Sequence, residues 1–212
     1  MREHWEHAYR QAEPDRVGWY QSHPSVSLKW IDAACAGDQD AAILDAGGGA
    51  SLLVDHLLEA GYRNITVADV AQAALDQTEA RLHKRFTPAQ WCGVSLVRAD
   101  LRHWRPERKF ALWHDRAVFH FLMTVDDRHA YLETLRHSLD IGGTLIIATF
   151  ASDGPERCSG LPVRRYDEDG LSAVLGRDFH LQEHRRSRHV TPSGREQRYL
   201  FCRFTRKAPG RE

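Results

Sequence analysis

The sequence predicts an α/β fold, with a mainly parallel sheet that is covered by helices on both faces. From residue 41 onwards, strand-like and helix-like patterns alternate along the chain. Such alternation is typical of parallel sheets whose strands are joined by crossover helices. Two strand-like runs near the C-terminus are separated by Thr-Pro-Ser-Gly at 191–194, which indicates an antiparallel hairpin. We therefore expect a parallel progression that finishes in an antiparallel pair.

Each element follows from the spacing of its apolar residues. Short apolar or β-branched runs predict strands, and apolar residues that recur on one helical face, such as Leu53 and Leu57, predict helices. The predicted strands are 42–46, 64–69, 94–99, 110–115, 143–150, 179–189 and 196–206. The predicted helices are 2–11, 25–36, 51–60, 71–86, 126–139 and 167–175. The segment 151–165 is rich in glycine and proline, so we expect a long loop there.

The composition excludes several classes of protein. The 212 residues contain 29 Lys and Arg against 29 Asp and Glu, so no overall charge attracts nucleic acid. No stretch approaches the roughly 18 apolar residues of a transmembrane helix, and the N-terminus lacks an apolar signal-peptide core. The four cysteines form no C-x-x-C pair, so neither a structural zinc site nor a disulfide framework is expected. We expect one cytoplasmic domain over 1–212, with no metal, nucleic-acid or membrane partner.

The most informative stretch is 41–51, an apolar run that ends in Asp45 and three glycines, Gly47 to Gly49. Glycines let the backbone turn tightly and approach a ligand, and the N-terminus of the following helix points at the bound group. A dinucleotide fingerprint needs a glycine at the sixth position from Gly47, where this chain has Leu52. An acid two residues before Gly47 repels a pyrophosphate and suits a cationic ligand. The pattern therefore favours a cationic cofactor over NAD.

This D-x-G-x-G pattern resembles motif I of the class I S-adenosylmethionine (SAM) methyltransferases, whose cofactor carries a sulfonium and an ammonium. Asp69 ends the next strand, where an acid accepts hydrogen bonds from ribose hydroxyls. Asp100-Leu101 follows the third strand, at the family position where an acid meets the adenine amino group and an apolar residue covers the ring. The resemblance implies a Rossmann-like, seven-stranded mixed sheet over 41–206 and SAM as cofactor. The implied cofactor contacts are Trp19, Tyr20, Asp45, Gly47, Gly48, Gly49, Ser51, Asp69, Val70, Asp100, Leu101 and His114.

The segment 110–122 is the most distinctive feature on the substrate side. Ligands of α/β sheets bind beyond the carboxyl ends of the strands, so His114, Asp115 and Arg116 are expected to face the reacting methyl group. The Asp-Arg-Ala-Val run resembles the D-R-[GA] segment of thiopurine and related thiol methyltransferases, and also the D-K-G segment of some protein-lysine methyltransferases. An Asp115–Arg116 surface pair that caps the following turn is the structural alternative.

We predict that Asp115 orients or deprotonates the acceptor, with His114 and His120 as second choices. Arg116 is predicted to hold an anionic substrate, with Phe119 and Tyr20 as further acceptor contacts. Two histidines do not predict a metal site.

Aromatic residues recur ahead of the sheet, at Trp5, Tyr9, Trp19 and Tyr20. A similar N-terminal segment of thiol methyltransferases folds over the cofactor, so we predict that 1–40 forms a helical lid or cap. Aromatic faces attract a sulfonium through cation–π interactions. The alternative is that these rings only anchor the N-terminal helix on the core.

The predicted function is SAM-dependent methyl transfer to a small-molecule acceptor, a thiol or another small nucleophile. Two alternatives remain open. A protein-lysine methyltransferase shares the fold and cofactor and would use a protein as substrate. A non-catalytic SAM-binding protein keeps the cofactor-binding acids without an aligned acceptor pocket.

Overall fold

Seven strands form one mixed sheet in the computed structural model, which describes residues 1–11 and 13–208. The strands of the chain are β1 (Ile43–Ala46), β2 (Ile65–Asp69), β3 (Val94–Arg98), β4 (Phe110–Arg116), β5 (Leu139–Phe150), β6 (Arg157–Cys158), β7 (Leu161–Pro162), β8 (Phe179–Val190) and β9 (Glu196–Arg206). The helices are α1 (Arg2–Gln11), α2 (Ser25–Cys35), α3 (Leu53–Glu59), α4 (Gln72–Arg85), α5 (Pro88–Trp91), α6 (Val125–Ser138) and α7 (Glu168–Leu175). A 3-10 turn covers Phe119–Phe121.

The order of the strands across the sheet is β3-β2-β1-β4-β5-β9-β8. The first five are parallel, and β9 runs antiparallel to both β5 and β8. This confirms the predicted α/β class, the seven-stranded Rossmann-like sheet and the C-terminal hairpin. The chain moves outward from β1 to β3 and then returns to the other side of β1 with β4. Such a switch point places a ligand cleft beyond the carboxyl ends of β1 and β4.

Both faces of the central strands are buried. Ile43 and Leu44 pack into two different apolar clusters, one on each side of the sheet, and so do Leu112 and Trp113. Successive side chains of a strand point to opposite faces, so a continuous apolar run suits a strand that is covered twice. The pairing of β1 with β4 sets Asp45 beside His114. Burial of the strands therefore fixes which polar side chains meet at their ends.

The strand β5 begins at Leu139, four residues earlier than its apolar pattern predicts. The sequence predicts a break over 140–142, between a helix that ends at 139 and a strand that begins at 143. This prediction is wrong, because the strand continues through an irregularity in the pairing of β4 with β5. Gly142 has a φ of 81°, and a Cβ on Gly143 would lie 2.8 Å from the carbonyl oxygen of Asp140. Glycines that read as a turn in the sequence serve here as a bulge within a strand.

The predicted loop 151–165 contains the small hairpin of β6 and β7. None of the helices described for this chain is both long and apolar enough to cross a lipid bilayer. Within the same described residues, no three histidine, cysteine or acidic side chains come together closely enough to hold a metal ion.

Candidate cofactor and acceptor site

Two cavities meet beyond the carboxyl ends of β1, β2 and β4. The larger contains about 840 Å³ of empty space, its open mouth included, and the smaller about 530 Å³. Trp19, Gly47 and Arg116 line both cavities. The two cavities therefore adjoin at these residues, beside the glycine-rich loop, and together they form the candidate cleft.

The glycine-rich loop leaves no room for side chains. Gly47 and Gly49 have positive φ angles of 70° and 50°. A Cβ on Gly47 would lie 2.0 Å from Val118 Cγ2, and one on Gly48 would lie 2.4 Å from Asp45 Oδ2. A Cβ on Gly49 would lie 2.4 Å from the hydroxyl oxygen of Tyr9. Only glycine combines these dihedral angles with such close approach.

Asp45 is buried at the end of β1, with 3% of its surface exposed. Its Oδ1 pairs with His114 Nδ1 at 2.8 Å, whereas its Oδ2 has no hydrogen-bond partner among the described residues. A buried carboxylate oxygen without a donor is unfavourable, so it favours a cationic ligand. Asp45 and Ser51 line the smaller cavity, as do Gly47 and Gly48. These residues fit the ammonium end of SAM.

His114 lies between two protein partners. Its Nδ1 pairs with Asp45, and its Nε2 lies 2.8 Å from the hydroxyl oxygen of Ser27 on α2. Both ring nitrogens of His114 therefore have protein partners, and its predicted action on the acceptor stays a prediction. His114 does line the smaller cavity. Its position fits the predicted contact with the cofactor through Asp45.

Asp69 ends β2 at the wall of the larger cavity. Its Oδ1 accepts a hydrogen bond from the backbone N–H of Ala71 at 2.8 Å, and its side chain is almost completely buried. Burial, with a smaller contribution from the charge of Asp45, raises the pKa of Asp69 to about 7. The carboxylate faces the space where a ribose is predicted.

The predicted adenine contacts also line the larger cavity, namely Val70, Asp100 and Leu101. Arg102 donates from its backbone N–H and from its guanidinium to Asp100, and it also pairs with Asp127 at 2.6 Å. The hydrogen bonds from Arg102 lower the pKa of Asp100. A carboxylate has about four lone-pair positions, so three bonds from Arg102 leave room for one further donor. An adenine amino group is such a donor.

Asp115 lies inside the protein rather than on the cleft wall. Its Oδ1 accepts hydrogen bonds from the backbone N–H groups of Val118 and Phe119, at 3.0 and 3.3 Å. Its Oδ2 accepts a hydrogen bond from the hydroxyl of Tyr131 at 2.6 Å. The Tyr131 hydroxyl oxygen in turn accepts one from Trp113 Nε1. Burial raises the pKa of Asp115 to about 6. The expectation that Asp115 faces the reacting methyl group is wrong, because its carboxylate closes the turn after β4.

His120 and Phe119 are fully buried and line neither cavity. The His120 ring lies between the rings of Phe121 and Phe150, and its Nδ1 accepts from the backbone N–H of Phe150. Burial lowers the pKa of His120 to about 3, so this imidazole stays neutral. The expectations of a catalytic His120 and of a substrate contact by Phe119 are therefore wrong in placement.

Arg116 stands at the junction of the two cavities. Its Nη1 donates to the carbonyl oxygen of Trp19 at 2.9 Å, and its guanidinium lies 4.7 Å from the ring centre of Tyr199. Its Nε and Nη2 are buried and have no partner among the described residues. The structural alternative of an Asp115–Arg116 surface pair holds in one part: Asp115 caps the following turn, but it is buried and does not pair with Arg116. The positive charge of Arg116 lowers the pKa values of His120, Cys158, His189 and Tyr199, and none of these four is a carboxylate.

The N-terminal aromatic residues cover the larger cavity. Trp5 packs edge-on against Trp19 and Phe121, and Tyr9 is buried with its hydroxyl beside Gly49. Trp5, Tyr9 and Trp19 line the larger cavity, and Tyr20 lines the smaller one. This placement suits the predicted lid over the cofactor. That the lid opens and closes stays a prediction.

Comparison with known proteins indicates the class of this cleft. Residues 43–143, slightly less than half of the chain, match the family model described as a methyltransferase domain. This part of the chain is therefore similar to methyltransferase domains. The domain makes the chain an enzyme, and SAM is the cofactor of this group of methyltransferases. The alternative of a non-catalytic SAM-binding protein is therefore not supported.

Solved structures share the fold of this chain. A protein solved in work on conversion of a disulfide bond into a thioacetal group during echinomycin biosynthesis is 24% identical, with a TM-score of 0.73 over 98% of this chain and 93% of that one. The 1,6-didemethyltoxoflavin-N1-methyltransferase of Burkholderia thailandensis, solved with 1,6-didemethyltoxoflavin and S-adenosylhomocysteine, is 21% identical. Its TM-score is 0.67, over 98% of this chain and 87% of that one. The N-methyltransferase NodS of Bradyrhizobium japonicum WM9, solved with S-adenosylhomocysteine, is 15% identical. Its TM-score is 0.69, over 96% of this chain and 98% of that one. No curated protein sequence matches the chain.

Sequence reasoning missed several residues that line the cleft of the methyltransferase domain. Ala117 adopts a positive φ of 69°, which turns the chain so that Val118 lies on Gly47 and Phe121 reaches the larger cavity. A positive φ is uncommon for a residue other than glycine, and nothing in the sequence predicts it here. The sequence predicts Tyr9 as part of the lid but not as a cofactor contact, although the Tyr9 hydroxyl lies against the glycine-rich loop.

Proposed function

We propose that this methyltransferase domain transfers a methyl group from SAM to a small-molecule acceptor, a thiol or another small nucleophile. The observation that carries the proposal is the place where the two cavities adjoin beneath the N-terminal segment, at Trp19, Gly47 and Arg116. A junction roofed by the N-terminal segment suits a small molecule. A protein-lysine methyltransferase would instead need a cleft with an open rim, so that a side chain on the surface of a folded protein could enter.

The proposed position of the cofactor follows from the acids along the cleft. The amino-acid end of SAM lies against Asp45 and the glycine-rich loop, and its ribose lies on Asp69. Its adenine lies between Val70 and Leu101, beside Asp100. The unpaired Oδ2 of Asp45 and the position of Asp69 at the cavity wall support this order.

The protein's part in the reaction is alignment and exclusion of water. When bound, SAM supplies an activated methyl group together with its leaving group. Asp45 and Asp69, the carboxylates that line the cleft at the glycine-rich loop, are assigned to the cofactor. Asp115 and His120 are buried away from the cleft, and burial raises the pKa of Cys158 to about 11. A thiolate or a carboxylate needs no base, whereas an ammonium must first lose a proton. The site therefore favours an acceptor that arrives as an anion.

Arg116 is the proposed partner of that anion. Its guanidinium is permanently charged, it is partly buried, and it has no acidic partner among the described residues. Charge-assisted hydrogen bonds to a guanidinium are strong and directional, so an anionic acceptor would be held at the junction beside the reacting methyl group.

Turnover of labelled SAM with a panel of thiols, carboxylates and amines tests the proposal. We expect transfer to a small anionic nucleophile. Arg116→Gln should raise the KM for that acceptor by about tenfold or more, the loss of one charge-assisted hydrogen bond, while the KM for SAM changes little. Label that enters only lysate protein would contradict the proposal and support the protein-lysine alternative.

A further inference from the structure

Two side chains of α4 hold the glycine-rich loop and line neither cavity. Thr78 Oγ1 donates to the carbonyl oxygen of Gly49 at 2.8 Å. Arg81 donates from Nη1 to the carbonyl oxygen of Ala50 at 3.1 Å and from Nη2 to that of Ser51 at 2.7 Å. Three consecutive loop carbonyls therefore accept hydrogen bonds from one helix. We call Thr78 and Arg81 the loop clamp.

The loop clamp sets the direction of the loop N–H groups. In a trans peptide the N–H points away from the carbonyl of the same unit. Carbonyls of Gly49 and Ser51 that point at α4 therefore turn the N–H groups of Ala50 and Leu52 away from it, and the N–H of Ala50 lies beside the hydroxyl of Tyr9. Gly48, Ala50 and Ser51 line the smaller cavity. The clamp thus fixes the backbone that borders the cavity that fits the amino-acid end of SAM.

The clamp is itself held firmly by α3. Asp55 is fully buried, and both of its oxygens accept from Arg81 Nε, at 3.1 and 3.0 Å. Arg85 pairs with the same carboxylate at 2.8 Å and with Glu59 at 2.6 Å, without touching the loop. Thr78 is also fully buried. Removing a partner from such a buried network leaves polar groups unsatisfied, so the geometry is strongly fixed.

We propose that Thr78 and Arg81 are positioning residues for the amino-acid end of SAM. They act through the peptide planes of the loop and have no contact with the cofactor in this arrangement. 5′-Methylthioadenosine carries the adenosine and sulfur of the cofactor but lacks its amino-acid end. Binding of S-adenosylhomocysteine should therefore depend on the clamp, whereas binding of 5′-methylthioadenosine should not. The inference rests on SAM as the cofactor and is independent of the acceptor.

Calorimetry with both ligands tests the hydroxyl of Thr78. Thr78→Val keeps the shape and removes the donor, so it should weaken S-adenosylhomocysteine by about fivefold, the equivalent of one hydrogen bond. It should leave 5′-methylthioadenosine within about twofold. Thr78→Ser keeps the donor and should restore the affinity for S-adenosylhomocysteine.

Arg81→Lys provides the second arm, with Arg85→Lys as its matched control. Arg81→Lys removes both guanidinium bonds to the loop and should weaken S-adenosylhomocysteine by more than about tenfold. Arg85→Lys disturbs the same Asp55 pair and should leave both ligands nearly unchanged. Equal weakening of both ligands, equal effects of the two arginine variants, or no effect of any variant would overturn the inference. Because binding is measured, failure to find a methyl acceptor does not affect this test.

Discussion

At the scale of single residues, the cleft places two buried acids close together. Asp45 and Asp69 end neighbouring strands, and burial together with the charge of Asp45 raises the pKa of Asp69 to about 7. The sequence predicted both acids from their positions after strands. It could not predict the raised pKa, because burial of Asp69 depends on Tyr9, which lies 60 residues earlier in the chain.

The raised pKa predicts a pH dependence of cofactor binding. The ionised Asp69 is the better acceptor for ribose hydroxyls and attracts the cationic cofactor, so affinity for SAM should rise as pH increases through about 7. Asp69→Asn should flatten this profile and weaken binding at pH 8. The same shift means that the free protein loses stability as pH rises from about 4 towards 7. Calorimetry and thermal unfolding between pH 5.5 and 8.5 test both statements, and a flat profile for the unmodified protein would contradict them.

Asp115 gives a second prediction at this scale. Asp115→Ala leaves two backbone N–H groups and the Tyr131 hydroxyl without their acceptor, so it should cost about 1–3 kcal/mol or more. Thermal unfolding should then shift by several degrees. Asp115→Asn keeps one acceptor oxygen and should cost less while retaining most of the turnover. An Asn variant of unchanged stability that has lost turnover would instead support the sequence-based role in catalysis.

At the scale of elements, patterns within one element were predicted well and contacts between elements were not. The periodicity located α4 within one residue at each end, and the hairpin of β8 and β9 followed from its turn. The early start of β5 was missed, because Gly142 and Gly143 read as a break. Glu6 caps the N-terminus of α4 by accepting from the backbone N–H groups of Gln72 and Ala73, at 2.8 and 3.1 Å. No local pattern indicates that contact.

The Glu6 cap predicts how the N-terminal segment is held. Carboxylates at a helix N-terminus stabilise by about 0.5–2 kcal/mol through N–H bonds and the helix dipole. Glu6→Gln should therefore speed amide exchange over residues 5–11 and weaken binding of SAM severalfold. Glu3→Gln, on the exposed side of the same helix, is the matched control.

A chain that begins at Ser22 should fold, bind SAM more weakly and hardly turn over, because the methyl group would be exposed to water. If that chain fails to fold, the segment is an anchor rather than a lid.

At the scale of the whole molecule, the cleft joins the ends of three strands, the glycine-rich loop and the N-terminal segment. A ligand that contacts all of them should stabilise the entire domain. At about 100 times its Kd, S-adenosylhomocysteine should add about 2.7 kcal/mol, a rise in Tm of roughly 5–11 °C for a chain of this size. NAD at the same concentration should give no shift, because Leu52 occupies the position where its fingerprint needs a glycine. An equal shift with NAD would contradict the cofactor assignment.

The shared wall of the two cavities also has a kinetic consequence. Trp19 belongs to the N-terminal segment and lines both compartments, and its carbonyl oxygen is bound by Arg116 between them. One undocking event therefore opens both compartments, so departure of the spent cofactor and entry of the next acceptor depend on the same slow step. The first methyl transfer in a rapid-mixing experiment should then be faster than every later one, with a burst equal in amount to the enzyme present. Loosening the Trp19 contact should shrink that burst by speeding the later cycles.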